Sequence, residues 1–190
     1  MPSGTRILAL SAGVRPTRSL VELARPVLVG LAARVGEAVG LSVPDGSSVR
    51  YVDQVDSAHP VAVRDWTGTR LPMHPVSSGR VFLASMTPEA LDAALAGPLE
   101  RFTPRTVTDA ARLRSLLREV VRTGVAWTAD EYAEGITSVA APVGDASGLV
   151  VAAVHIHGPS YRFPGARRRD DLEAAVLGAA AGLSADVRRA

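Results

Sequence analysis

His155 and His157 stand two apart in the apolar run 150–158. On a strand this spacing puts both imidazoles on one face and Val154 and Ile156 on the other. Imidazoles so placed can chelate a metal, face solvent without consequence, or line a cavity and donate to an anion. Spacing alone leaves all three readings open. A second polar constellation runs from Arg70 to Arg80 through Met73, His74, Ser77 and Ser78, just ahead of the apolar Val81-Phe82-Leu83. A Ser-Ser-Gly loop entering a helix can hold a carboxylate with its N–H groups and hydroxyls, or it can be an ordinary helix cap. A serine nucleophile is not expected. The hydrolase elbow needs Gly-x-Ser-x-Gly, and Pro75 occupies the first glycine position ahead of Ser77. No histidine and acid are placed by spacing to activate such a serine, so no catalytic residue and no enzyme activity are expected.

The arginines at 112, 114, 118, 122 and 167–169 suggest phosphate contact. The first set shares a helix with Glu119 beside an apolar face, which reads as a solvated outer surface. Composition narrows the classes further. A chain of 190 residues, 47% hydrophobic and 21% charged, forms a globular domain with a substantial core. Aromatics make up only 4%, so that core is mainly Ala, Val and Leu. All 21 basic residues are arginine, yet the net charge of +2 is too small to mark a nucleic-acid-binding surface. The absence of cysteine excludes disulfides, thiolate nucleophiles and the common structural zinc sites. No apolar run is long enough to span a bilayer and no signal peptide is evident, so a cytoplasmic protein with no membrane partner is expected.

The elements that must position these residues follow from periodicity and punctuation. Residues 5–14 suggest a short helix before Arg15-Pro16. From Ser19, Leu20, Leu23, Val27, Leu28, Leu31 and Val35 keep helical spacing up to Gly36, with Pro26 predicting a kink or a restart. Residues 38–43 and 49–52 read as strands around a Pro-Asp-Gly-Ser turn, and Val61-Ala62-Val63 as a third strand. Thr87-Pro88 and Asp109 open two helices, the second closed by Gly124. A strand at 125–127 and a hairpin of 138–143 with 149–157 follow, and Asp170 with Glu173 resembles a capping box for the last helix. Two hairpins with helices outside imply α+β architecture.

Five phrases in collinear order carry a family resemblance: Leu23-Ala24-Arg25-Pro26-Val27-Leu28, Gly68-Thr69-Arg70-Leu71-Pro72-Met73-His74, Arg101-Phe102-Thr103-Pro104-Arg105-Thr106, Ala140-Ala141-Pro142-Val143, and Gly158-Pro159. Together they resemble the effector-binding domain of IclR-type bacterial transcription regulators from about residue 5 onward. The resemblance implies a GAF-like fold, an antiparallel sheet of about six strands flanked by helices on both sides. It implies a cavity for small organic acids or aromatic metabolites, assembly into homodimers or homotetramers, and DNA contact only through a separate winged helix-turn-helix. Residues 1–17 are then expected to be the remnant of an inter-domain linker helix and 18–190 the effector-binding domain. The DNA-binding module is expected to be absent from this chain.

Carried over by motif, the resemblance assigns ligand contacts to Met73, His74, Ser77, Ser78, Thr128, Ser138, His155 and His157, with no metal and no cofactor. Ser138 stands where relatives often carry Cys. Thr128 replaces a common acid, and His155-Ile156-His157-Gly158-Pro159 replaces a Ser-x-Ser-Gly-Pro ending. Glu131, Tyr132 and Gly135 keep the family pattern. Losing an acid and gaining two imidazoles predicts a carboxylate-bearing ligand, smaller or more acidic than an aromatic effector. The other reading is a stand-alone GAF-like small-molecule or metal-binding protein with no DNA role.

Overall fold

Ser19 opens the first helix with a reciprocal cap: its hydroxyl accepts from the Glu22 N–H and the Glu22 carboxylate accepts from the Ser19 N–H. This helix, α1 (Leu20–Val35), ends where Gly36 takes a left-handed conformation. The structure, a computed structural model, describes residues 19–166 and 169–190. The expected helix at 5–14 and the linker remnant at 1–17 lie outside the described residues. Helix α1 runs through Pro26 without restarting. Pro26 is exposed, so the carbonyl deprived of its partner one turn earlier lies on the solvent side of the helix.

Six strands follow the chain as β1 (Ala38–Asp45), β2 (Ser48–Val55), β3 (Arg70–Pro72), β4 (Ala126–Ala129), β5 (Ile136–Gly144) and β6 (Val150–Pro159). They form one antiparallel sheet in the order β3-β2-β1-β6-β5-β4. The third strand is not at 61–63. Pro60 lacks a ladder donor there and Val61 is 59% exposed, whereas Leu71 in β3 is buried against the sheet edge. Between β3 and β4 lie three helices where two were expected: α2 (Ser77–Ala84), α3 (Pro88–Ala94) and α4 (Ala110–Thr123). Thr87 and Asp109 cap α3 and α4 as their positions predict. The last helix, α5 (Arg169–Arg189), already includes Asp170, which is therefore a first-turn acid favoured by the helix dipole and not a cap.

Strand alternation divides the interior into two cores. Leu41, Val139, Val154 and Ile156 meet α1 and α5 through Leu28, Val35, Leu172, Val176 and Leu183. On the other face Tyr51, Leu71, Ala140 and Ala153 meet Phe82, Leu113 and Leu117 of α2 and α4. The α+β, GAF-like sandwich of a six-stranded sheet with helices on both sides is thus the observed architecture. Strand β6 sits near the centre of the sheet, and every residue from Ala152 to Gly158 is buried.

Two bulky imidazoles fit on this strand because their neighbours are small. His155 lies between Gly40 of β1 and Ala140 of β5, and His157 between Ala38 and Ser138. A Cβ added at Gly40 would come within 2.3 Å of His155 Nε2. We expect Gly40→Ala to lower stability to urea by about 1–3 kcal/mol, the usual cost of overpacking. Most of that loss should be recovered in Gly40→Ala/His155→Ala, and strictly additive single and double variants would disprove the clash.

Candidate functional site

A half-closed cavity with about 40 Å³ of free space opens on the face of the sheet that carries α2. That is room for a few water molecules and well below the range of drug-sized ligand sites, so only a very small ligand enters without the walls parting. The cavity walls come from five strands and the segments between them. Strand β2 contributes Tyr51, the segment before β3 contributes Trp66, and Pro75 and Val76 lead into α2. Leu71 of β3, Thr128 of β4, Glu131, Tyr132 and Ala133 of the β4–β5 connection, Ile136 and Ser138 of β5 and His157 of β6 complete the lining. Trp66 and Tyr132 meet edge to face at 5.9 Å, and Arg64 covers the outer side of Trp66.

The floor is the imidazole pair. His155 and His157 stack with centroids 5.3 Å apart, and Tyr51 meets His155 edge-on at 4.6 Å. His157 reaches the cavity, while His155 packs behind it and is not part of the lining. Both rings are buried, and none of their four nitrogens has a hydrogen-bond partner among the described residues. Burial drives the His155 pKa well below its ordinary value, with His157 adding to the fall. It lowers His157 to about 4, although Asp56 and Asp65 pull the other way. Burial also raises the Tyr51 hydroxyl to about 12, partly offset by the adjacent Ser78 hydroxyl. Near neutral pH the floor is therefore uncharged and rich in hydrogen-bonding capacity. Among the described residues no three His, Cys, Asp or Glu side chains converge on a metal position.

Helix α2 supplies the adjoining wall. Its N-cap is Val76, which offers no side-chain acceptor, so the serines are not caps. Ser77 and Ser78 are instead the first two helical residues, both fully buried. Pro75 and Val76, which lead into this first turn, line the cavity, whereas the residues of α2 itself lie behind them. Gly79 permits this placement, since a Cβ there would lie 2.2 Å from the Met73 carbonyl oxygen. The Ser77 hydroxyl is hydrogen-bonded to Ser138, another hydroxyl and not a base.

The eight residues singled out by sequence thus separate. Thr128, Ser138 and His157 line the cavity, Ser77 and Ser78 back its wall, and His155 backs its floor. Met73 and His74 lie elsewhere. They border a small apolar groove with Leu83, Met86 and Leu95, and His74 Nε2 is bonded to the Glu100 carbonyl at 2.9 Å. Tyr51, Trp66 and Leu71 belong to the lining without having been singled out. Arg80 closes the polar constellation 70–80 of the sequence, but the sequence assigned it no role in the site. Its guanidinium pairs with Glu131, and it donates to the carbonyls of His74 at 2.9 Å and Trp127 at 3.1 Å. The available signal was an arginine inside the helical run Ser77–Leu83, at a position facing inward with Ser77.

The neutral imidazole floor has a stability consequence with a definite sign. Unfolded histidines protonate below about 6.5, while folded His157 resists to about 4 and folded His155 is also held well below its ordinary value. Between these limits the unfolded chain binds more protons, so stability falls as pH falls by up to about 1.4 kcal/mol per pH unit per histidine. The urea midpoint of His155→Gln/His157→Gln should decline less steeply than that of the natural chain from about pH 6.5 to about pH 4.5. Parallel profiles would count against burial of neutral imidazoles.

Comparison with known proteins agrees with this architecture. Residues 14–185 match the C-terminal domain of bacterial IclR transcriptional regulators. The HTH-type transcriptional regulator BhcR of Paracoccus denitrificans is 34% identical over 166 residues, covering 87% of this chain and 59% of that protein. The chain therefore spans about three fifths of the length of that relative. A transcriptional regulator from Rhodococcus sp. RHA1 superposes with a TM-score of 0.84 at 34% identity, covering 91% of this chain and 71% of its own. An IclR homologue from Microbacterium hydrocarbonoxydans, solved with 4-hydroxybenzoate, superposes with a TM-score of 0.79 at 30% identity over 90% of this chain and 69% of its own. A buried sheet-face cavity in this fold, and a domain match over most of the length, place the chain in the IclR family of bacterial transcriptional regulators.

Proposed function

We propose that the domain senses a small carboxylate-bearing metabolite, and that occupancy of the cavity alters DNA binding by a separate winged helix-turn-helix in a dimer or tetramer. The observation that carries this reading is an unpartnered buried imidazole at the wall of one half-closed space. His157 presents ring nitrogens without partners there, beside the hydroxyls of Thr128 and Ser138. Buried polar groups of this kind cost free energy until a ligand or ordered water satisfies them. A carboxylate accepts from an imidazole N–H and a neighbouring hydroxyl at once.

Sensing is favoured over catalysis because no serine here is activated. Ser77 shares its hydrogen bond with Ser138, and the imidazoles contact each other and Tyr51. The imidazole pair alone falls short of a zinc ligand set. Family membership favours the regulator over the stand-alone binding protein. The 4-hydroxybenzoate complex of the relative is consistent with an organic acid in this fold. Imidazoles where relatives carry serine fill the floor more deeply, which favours a shorter acid.

A carboxylate beside His157 stabilises its protonated form, so binding takes up a proton and tightens as pH falls. Isothermal titration with short aliphatic mono- and dicarboxylates and with 4-hydroxybenzoate tests the reading. The best ligand should bind at least about tenfold more weakly to His157→Ala, and more tightly to the natural chain at about pH 5.5 than at about pH 7.5. Equal affinities in the two proteins would overturn the assignment.

A further inference from the structure

We infer that the domain has a second ligand site, an arginine-lined groove for a small multivalent oxyanion, back to back with the sheet-face cavity. The groove has a volume of about 770 Å³ and lies between the 101–109 segment, the start of α4, β4 and the start of α5. Arg80, Arg101, Arg105, Arg112 and Arg169 line it. The carboxylates that balance them are fewer. Arg80 is paired with Glu131, and Arg105 with Asp130 at 3.2 Å. Asp109 of the lining is committed to the cap of α4 through the Arg112 N–H. Arg112 and Arg169 have no ion pair among the described residues. Arg101 is held by uncharged acceptors only, the carbonyls of Pro104 and Thr106 and the hydroxyl of Thr108.

Two features separate this groove from a loose charged surface. The first is rigidity. Thr106 accepts from the N–H groups of Phe102 and Thr103 and donates to the Glu131 carbonyl at 2.6 Å, while Thr103 donates to the Asp130 carbonyl at 2.6 Å. The wall that carries Arg101 and Arg105 is thereby tied to the sheet. The second is preorganised charge. The Arg169 guanidinium lies 4.4 Å above the Trp127 ring, whose own N–H is bonded to Glu173. Holding arginines in place without carboxylate partners makes a site for an anion, because planar guanidinium donors match phosphoryl and carboxylate oxygens. One negative charge would leave the groove net positive, so a ligand with at least two is expected. Phosphate esters and polycarboxylic acids share that chemistry.

The site is separate from the cavity read as the effector site, although Thr128 and Glu131 belong to both walls. Its test therefore needs no knowledge of the effector. Pyrophosphate and citrate should each be titrated calorimetrically into the natural domain, Arg112→Gln/Arg169→Gln and His157→Ala. Both arginines are exposed, so the fold survives the substitution. The proposal expects binding of at least one anion, weakened about tenfold or more in the double arginine variant and unchanged in His157→Ala. The tighter of the two anions then distinguishes a phosphoryl from a polycarboxylate ligand. It is overturned if neither anion binds, or if affinity is lost in His157→Ala and kept in the arginine variant. It is also overturned if the arginine variant alters sedimentation without altering anion binding, since the groove would then be an interface between copies.

Discussion

The interior of this domain depends on the placement of β6 near the middle of a sheet covered on both faces. A strand in that position must satisfy two environments with one alternation of side chains. Val154 and Ile156 enter the close-packed layer under α1 and α5, and His155 and His157 turn to the layer under α2. A slip of one residue would exchange the two sets, sending imidazoles into an aliphatic core and valine to the cavity. The register against β1 and β5 therefore decides the fold and the chemistry of the floor together.

The helix boundaries at Ser19, Gly36, Thr87, Asp109 and Gly124 were legible in the sequence because capping is local: donor and acceptor lie within one turn. The β5–β6 hairpin and the shared face of the histidines were legible for the same reason. The burial of those histidines was not, since it depends on strand order, and β6 lies beside β1 from the other end of the chain. Strand β3 escaped notice because three residues carry too little alternation to stand out against 61–63. The start of α2 was displaced because its cap, Val76, gives no chemical signature. Tyr51, Trp66 and the Arg80–Glu131 pair become a site only through contacts across long stretches of sequence, 51 residues in the case of that pair.

That ion pair forms the partition between the cavity and the arginine-lined groove. A buried pair adds little net stability, because desolvation offsets most of the attraction. Its geometry is nevertheless well determined. Arg80 also holds the carbonyls of His74 and Trp127, and Glu131 accepts from the Val107 N–H. The pair thus joins the segment before α2, strand β4 and the segment before α4 at one point. Such a polar junction, bonded to three segments at once, specifies one arrangement of the elements around it more than it strengthens them.

The contact between Gly40 and His155 also constrains how such a floor can arise. With an imidazole at 155, a side chain at position 40 is costly, because the first atom added there meets Nε2. The two positions, on different strands and 115 residues apart by their numbering, therefore constrain each other as a pair. A backbone position outside the cavity lining thereby limits which side chains its floor can carry.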